Sequence, residues 1–180
     1  MFKNAAEAIK YIRENDIEFV DVRFMDLPGV MQHFNIPAKA FNDSVFEDGL
    51  MFDGSSIRGF QAIHESDMKL FPVPESAYID PYRKEKTLII LFSVHNPVDN
   101  TPYSRDPRGV VAKAVEFMRS TGIADTAFFA PEAEFYVFDS VRFQTGMNES
   151  FHHIDSYEGA WNTGIEYDAD GTPNRGYRTR

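Results

Sequence analysis

Cysteine is absent from this 180-residue sequence, and tryptophan and basic residues are scarce. The absence of cysteine excludes a disulfide-stabilised scaffold, a thiolate zinc site and a cysteine nucleophile. No apolar run approaches the ~20 residues that a membrane-spanning helix needs. The sequence contains 18 Lys and Arg residues and 28 Asp and Glu residues, so its net charge is −10. It has no excess of basic residues that would bind nucleic acid or anionic lipid. We therefore expect a soluble, cytoplasmic protein with no nucleic-acid or membrane partner.

The sequence does contain enough apolar side chains for a folded core. Hydrophobic residues make up 43% of the chain, and 17 Phe and 8 Tyr are among them. The length corresponds to one domain or two small ones. A proline-rich stretch at residues 95–107 predicts the boundary, which divides the chain into residues 1–103 and 104–180. The acidic surplus is typical either of an ordinary solvated surface or of carboxylates gathered around cations.

The N-terminal half predicts a small α+β layer. Residues 4–14 place apolar side chains at helical spacing, and residues 17–24 then alternate with period two, as a half-buried strand does. A Pro-Gly turn leads into an antiparallel strand at residues 30–36. The continuous apolar run at residues 87–94 predicts a central buried strand. Residues 37–86 are rich in turn formers and are predicted to be irregular, which is often a sign of function.

The C-terminal half begins with a helix signal. Asp106 can cap a helix whose first position is Pro107, and the apolar stripe that follows ends at Gly122. The pattern over residues 126–138 predicts a long strand, whereas residues 139–180 have the composition of loops.

The segment Ala-Pro-Glu-Ala-Glu-Phe contains two carboxylates, Glu132 and Glu134, among aromatic neighbours. On a strand they point to the same face, roughly 6–7 Å apart along the backbone. Two such carboxylates repel each other unless a cation compensates, and hard cations such as Mg²⁺ or Mn²⁺ prefer these ligands. The alternative is an amphipathic strand whose polar face lies in water.

A second segment with candidate chemistry is the tight loop Asp53-Gly54-Ser55-Ser56. Its plainest interpretation is an Asx turn, in which Asp53 caps its own backbone. Two functional interpretations remain beside it. The acidic loop could bind a cation or an amine, or the amides from Gly54 to Ser56 could form an anion-binding nest.

Three segments together resemble bacterial type I glutamine synthetase, most closely its actinobacterial form. They are MFDGSSIRGFQAIHESDM at residues 51–68, PYSRDPRGVVAKA at residues 102–114 and APEAEFYVF at residues 130–138. The resemblance covers essentially the whole chain in order. It implies a ligase that uses ATP to phosphorylate the side-chain carboxylate of L-glutamate, after which ammonia attacks the γ-glutamyl phosphate to give glutamine.

The same resemblance implies the architecture and the assembly. An N-terminal β-grasp domain is followed by the start of a catalytic domain built on a curved antiparallel sheet with helices. Subunits form a homo-oligomer of two stacked hexameric rings, a dodecamer, with each active site between neighbours. L-glutamate, ammonium and ATP are the implied substrates.

Residue roles carry over only where the motifs match. Glu132 would belong to the metal near the ATP phosphates and Glu134 to the metal near glutamate, with two or more Mg²⁺ or Mn²⁺ ions in each site. Asp53 would bind ammonium in the neighbouring subunit's site and favour its deprotonation, and Ser56 would support that loop. The segment offers no cofactor-binding residues beyond the metal ligands.

The family's chain is much longer than this sequence, which ends at Arg180. We therefore expect an N-terminal part of a glutamine synthetase, inactive as an isolated 180-residue segment. Two alternatives stay open: a related ligase that joins polyamines or other amines to glutamate, and a non-catalytic truncated interaction module. The intact Asp53-Gly54-Ser55-Ser56 loop favours ammonia over larger amines.

Overall fold

The computed structural model describes residues 2–156, Gly159 and Trp161. The chain forms two units, and the first contains a five-stranded mixed sheet. The first unit ends at Ala127 and the second begins at Phe128. The order of strands across the sheet is β2-β1-β5-β4-β3, in which β1 and β5 are parallel and the other neighbours antiparallel. The strands are β1 (Phe19–Met25), β2 (Met31–Pro37), β3 (Leu50–Asp53), β4 (Asp67–Ile79) and β5 (Thr87–His95).

The two central strands form where the sequence predicts them. Strand β1 buries alternate side chains, Val20, Val22 and Phe24, in the core. Strand β5 lies between β1 and β4, so its backbone is paired on both edges, and the side chains of its apolar run are buried almost throughout. The intervening position Asp21 was expected on the polar face and is fully buried, since the side chains of Arg23 and His33 bind its carboxylate.

Helix α1 (Ala5–Glu14) starts at a side-chain cap. The Asn4 side chain accepts a hydrogen bond from the Glu7 N–H at 3.0 Å, and the Glu7 carboxylate accepts one from the Lys3 N–H at 2.9 Å. The helix buries Ala8, Ile9 and Ile12. The sequence therefore gave the correct extent and the correct apolar face of this helix.

Residues 37–86 are more regular than predicted. They contain a short helix, α2 (Asp43–Glu47), strand β3 and the thirteen-residue strand β4. Pro72 and Pro74 argue against a strand. Pro72 stays in register opposite Phe92, whereas Pro74 lies in the irregular stretch between Val73 and Tyr78, where the pairing with β5 shifts register.

Helix α3 (Pro107–Ser120) begins as expected. Asp106 is buried and accepts hydrogen bonds from the Arg108 N–H and the Val94 N–H, each at 2.9 Å. One carboxylate thus caps α3 and satisfies the backbone at the end of β5. No helix among residues 2–156 is long and apolar enough to cross a membrane.

The second unit departs from the prediction at two places. Residues 126–138 were expected to form a strand and have no regular secondary structure, and they belong to neither of the two sheets in the described part of the chain. An unpredicted antiparallel hairpin follows, formed by β6 (Ser140–Thr145) and β7 (Ser150–Asp155). Most of the predicted loop beyond the hairpin lies outside the described residues.

Candidate functional site

The loop at Asp53 is fixed by the strand that precedes it. Strand β3 pairs with β4 and ends at Asp53, opposite Asp67, and a single 3₁₀ turn, Gly54–Ser56, follows. The Gly54 N–H donates to the carbonyl of Ser66 at 2.6 Å. A side chain at Gly54 would not fit, because a Cβ there would lie 2.5 Å from the sulfur of Met68. Glycine is thus required at this point by close packing.

The Asp53 carboxylate accepts three hydrogen bonds from the two serines that follow it. Oδ1 accepts from the Ser55 N–H at 2.8 Å and the Ser55 hydroxyl at 2.6 Å, and Oδ2 accepts from the Ser56 hydroxyl at 2.7 Å. The hydroxyl bonds from Ser55 and Ser56, followed by the Ser55 N–H bond, lower the pKa of Asp53 below its ordinary value of 3.8. Asp53 is exposed, so an ionised carboxylate faces solvent on a rigid turn.

This geometry decides between the interpretations that the sequence left open. The Asx turn is present, because Asp53 caps its own backbone. The anion-binding alternative loses its donors, since the Gly54 N–H binds Ser66 and the Ser55 N–H and hydroxyl bind Asp53. The Ser56 hydroxyl binds Asp53, and its role as a support of a functional loop stays a prediction. Ser55 makes two of the three bonds and was missed, although the serine doublet was a visible signal.

One acidic residue, Asp67, lies opposite Asp53 in the pairing of β3 with β4. Beside β4 lies a cleft of about 490 Å³ whose lining includes Glu65, Asp67 and Asp99. The N–H and hydroxyl of Thr101 lower the pKa of Asp99, so this carboxyl group is also ionised at neutral pH.

A second set of contacts holds the far end of the loop. The Tyr103 hydroxyl donates to the carbonyl of Phe60 at 2.9 Å, and Arg105 Nη1 donates to the same oxygen at 2.6 Å. Arg105 also donates to the carbonyl of Gly59 at 2.9 Å. Sequence reasoning did not find these residues, because they are more than forty positions from their partners and no local pattern marks them.

Glu132 and Glu134 belong to a different unit from Asp53. They lie in the second unit, in the irregular segment, and both are exposed. The strand that was to place them on one face is not formed. Within residues 2–156, no group of three or more His, Cys, Asp or Glu side chains could hold a metal ion. The two carboxylates are oxygen donors of the kind that Mg²⁺ and Mn²⁺ prefer, and their assignment as ligands stays a prediction.

Sequence families identify the class of protein. The glutamine synthetase β-grasp domain matches residues 16–97, and the glutamine synthetase catalytic domain matches residues 104–176. The chain therefore belongs to the glutamine synthetase family. The β-grasp prediction is confirmed by this match and by the mixed sheet. The exact boundary predicted at residues 103 and 104 stays a prediction.

Individual relatives confirm the resemblance to actinobacterial forms. The chain is 60% identical over 178 residues to a glutamine synthetase of Mycobacterium bovis and 61% identical over 180 residues to one of Streptomyces coelicolor. A relative from Vibrio cholerae is 49% identical over 170 residues. The chain spans 37% of the length of the Mycobacterium and Streptomyces relatives and matches their N-terminal portion.

Solved structures agree with the fold. The glutamine synthetase of Plasmodium falciparum superposes with a TM-score of 0.73 over 99% of this chain and 35% of its own, at 21% identity. The ADP complex of GmaS superposes with a TM-score of 0.54 over 64% of this chain and 25% of its own, at 28% identity.

Proposed function

We propose that this chain is part of a glutamine synthetase that joins ammonia to L-glutamate at the expense of ATP, through a γ-glutamyl phosphate, in nitrogen assimilation. The observation that carries the proposal is the Asp53 loop, in which an ionised carboxylate stands on a hydrogen-bonded, exposed turn. Such a group binds a small cation, and ammonium is the cationic substrate of this reaction. The many relatives named glutamine synthetase support the same assignment.

Asp53 acts first by binding ammonium. Its carboxylate is less basic than an ordinary one, so it stays ionised while it accepts N–H hydrogen bonds from the cation. Deprotonation must precede attack, because only ammonia has a free electron pair on nitrogen. The carboxylate orients the cation, and because Asp53 faces solvent, the proton that ammonium loses and the one that the new amide nitrogen loses after attack pass to water. The nitrogen electron pair then forms the C–N bond, and the phosphate leaves with the electrons of the C–O bond.

In this proposal, Glu132 and Glu134 would bind divalent metal ions. Mg²⁺ or Mn²⁺ would neutralise phosphate charge during transfer from ATP. The donor type of both residues fits, and two carboxylates leave positions for water, substrate oxygens and further protein ligands. Exposure of both side chains leaves them free to reach such ions.

The working enzyme is proposed to be a cytoplasmic homo-oligomer of two stacked hexameric rings. In that assembly, the Asp53 loop of one subunit completes the site whose metal-binding glutamates come from its neighbour. The isolated 180 residues are therefore expected to lack activity.

The test is Asp53→Asn in the full-length protein, which keeps the size of the side chain and removes its charge. We expect the KM for ammonium to rise about 10- to 100-fold, while the KM for ATP changes by no more than about twofold. A matched control is Asp43→Asn, an exposed carboxylate in the first turn of α2 that is not a hydrogen-bond partner of the loop serines. Equal losses for ammonium and ATP would show that Asp53 is only structural.

An amine panel on the same enzyme tests the substrate. Turnover with ammonium and little with putrescine is the expected result, because the tight loop presents one carboxylate to a small cation. Strong turnover with putrescine and none with ammonium would instead identify an amine ligase. No turnover with any amine in the full-length oligomer would favour a non-catalytic module.

A further inference from the structure

The peptide group that joins Phe60 to Gln61 is held at both ends, and one end leads to Asp53. Its carbonyl oxygen accepts the hydrogen bonds from Tyr103 and Arg105. Its N–H donates to the carbonyl of Gly54, the residue next to Asp53, at 3.3 Å. The position of this one peptide therefore constrains the backbone beside the candidate ammonium-binding carboxylate.

Tyr103 is also anchored outside the loop. Its side chain is buried, and its ring meets the Phe60 ring edge-on at 5.2 Å between centroids. Its N–H donates to the carbonyl of Val94 on β5 at 2.9 Å, and its own carbonyl accepts from the Asp106 N–H at 3.1 Å. Tyr103 is thus fixed by the central strand and by the cap of α3, so it can serve as a rigid support.

Arg105 adds a charged donor that spans two successive carbonyls. Nη1 lies 2.9 Å from the oxygen of Gly59 and 2.6 Å from that of Phe60. A guanidinium remains charged over the whole physiological pH range, and its hydrogen bonds are stronger than those between neutral groups. Gly59 has a φ of +83°, so the chain turns sharply where Arg105 holds it.

We propose that Tyr103 and Arg105 are positioning residues for Asp53, acting through the Phe60–Gln61 peptide. The inference rests on the proposed function, in which Asp53 binds ammonium. Neither residue is among the hydrogen-bond partners of the Asp53 carboxylate, so their loss leaves its charge intact and alters its direction. Ammonium binding should weaken, whereas ATP binding should not.

The experiment uses the full-length enzyme with Tyr103→Phe, Arg105→Lys and Arg105→Gln. Phe keeps the ring contact with Phe60 and removes only the hydroxyl, and Lys keeps a charged donor without the planar fork. We expect the KM for ammonium to rise roughly tenfold in Tyr103→Phe and Arg105→Gln, and less in Arg105→Lys, with the KM for ATP unchanged. Matched controls are Tyr82→Phe, whose ring is 95% exposed, and Arg13→Lys on α1.

Hydrogen exchange supplies a readout that does not depend on turnover. In Tyr103→Phe, the Gln61 amide should exchange faster, because its bond to Gly54 is no longer held in place, whereas amides of α1 should be unchanged. Unaltered Gln61 exchange together with an unaltered KM for ammonium would overturn the proposal. So would equal rises in KM for ammonium and ATP, since that pattern indicates general destabilisation.

Asp53→Asn, measured in parallel, shows whether a negative result contradicts the positioning role or the proposed function. If Asp53→Asn weakens ammonium use and the Tyr103 and Arg105 variants do not, the positioning role is wrong and the proposed function stands. If Asp53→Asn leaves ammonium use intact, the role of Asp53 is wrong and the positioning proposal is overturned with it.

Discussion

The serines beside Asp53 set its acidity, and this gives a prediction at the scale of single residues. The pKa of Asp53 in the folded protein lies below 3.8. At pH values above 3.8 its hydrogen bonds therefore contribute their full stabilisation of the fold. This stabilisation is lost as the pH falls through the lowered pKa. In the double variant Ser55→Ala/Ser56→Ala, the pKa should rise back toward 3.8. The measurement is a carboxyl-carbon NMR titration.

The internal reference for this titration is Asp99, whose lowered pKa depends on Thr101 and should stay where it is. A pKa of Asp53 that does not move would mean that the hydroxyls do not bind it in solution. Near pH 7 the carboxylate is ionised with or without the serines. Any loss of ammonium affinity in the double variant at that pH therefore reflects orientation of the carboxylate and not its charge.

At the scale of elements, Ser76 explains how β4 passes through its irregular stretch. Its hydroxyl donates to the carbonyl of Val73 at 2.6 Å and accepts from the Leu91 N–H on β5 at 2.8 Å. One side chain thus replaces a missing backbone partner where the register shifts.

Ser76→Ala should therefore leave the partly buried Leu91 N–H without that partner. We expect the free energy of unfolding to fall by about 1–3 kcal/mol, measured by urea denaturation at constant m-value. Ser120→Ala, at the exposed end of α3, is the control and should change stability by less than about 0.5 kcal/mol. Equal effects in both variants would contradict the bridging role of Ser76.

The same strand shows which elements the sequence could predict. Local signals were sufficient for α1, for α3 and for β5, since caps and apolar periodicity lie within the elements themselves. Strand β4 was missed because its irregular stretch is held by a hydrogen bond between Ser76 and the Leu91 N–H, fifteen residues further along the chain. The β6–β7 hairpin was missed although Val141 and Phe143 alternate with polar residues in β6, because the hairpin is largely exposed and β7 does not continue that alternation.

The residues of the candidate site likewise differ in whether a local sequence motif marks them. Asp53 and Ser56 could be found from one short motif, because their hydrogen bonds span two or three residues. Tyr103 and Arg105 could not, since only the folded chain places them against Phe60.

At the scale of the whole molecule, residues 126–138 stand out as an apolar segment without a strand partner in the described chain. Phe128 is 94% exposed, Phe129 89% and Phe135 82%, an extent of apolar exposure that normally marks a surface covered by another part of the protein. The family relatives are longer than this chain, which spans 37% of their length. We predict that in the full-length oligomer this segment forms the strand that its sequence indicates.

Hydrogen exchange of the amides within residues 129–137 tests this prediction. Exchange should be slow in the full-length oligomer and fast in the 180-residue chain, because ladder hydrogen bonds form only where a neighbouring strand is available. Amides of β5 should be protected in both and serve as the control, since that strand has neighbours on both edges. Fast exchange in both proteins would show that Glu132 and Glu134 are not held on a strand. That result would remove the geometric basis for assigning them to two adjacent metal ions.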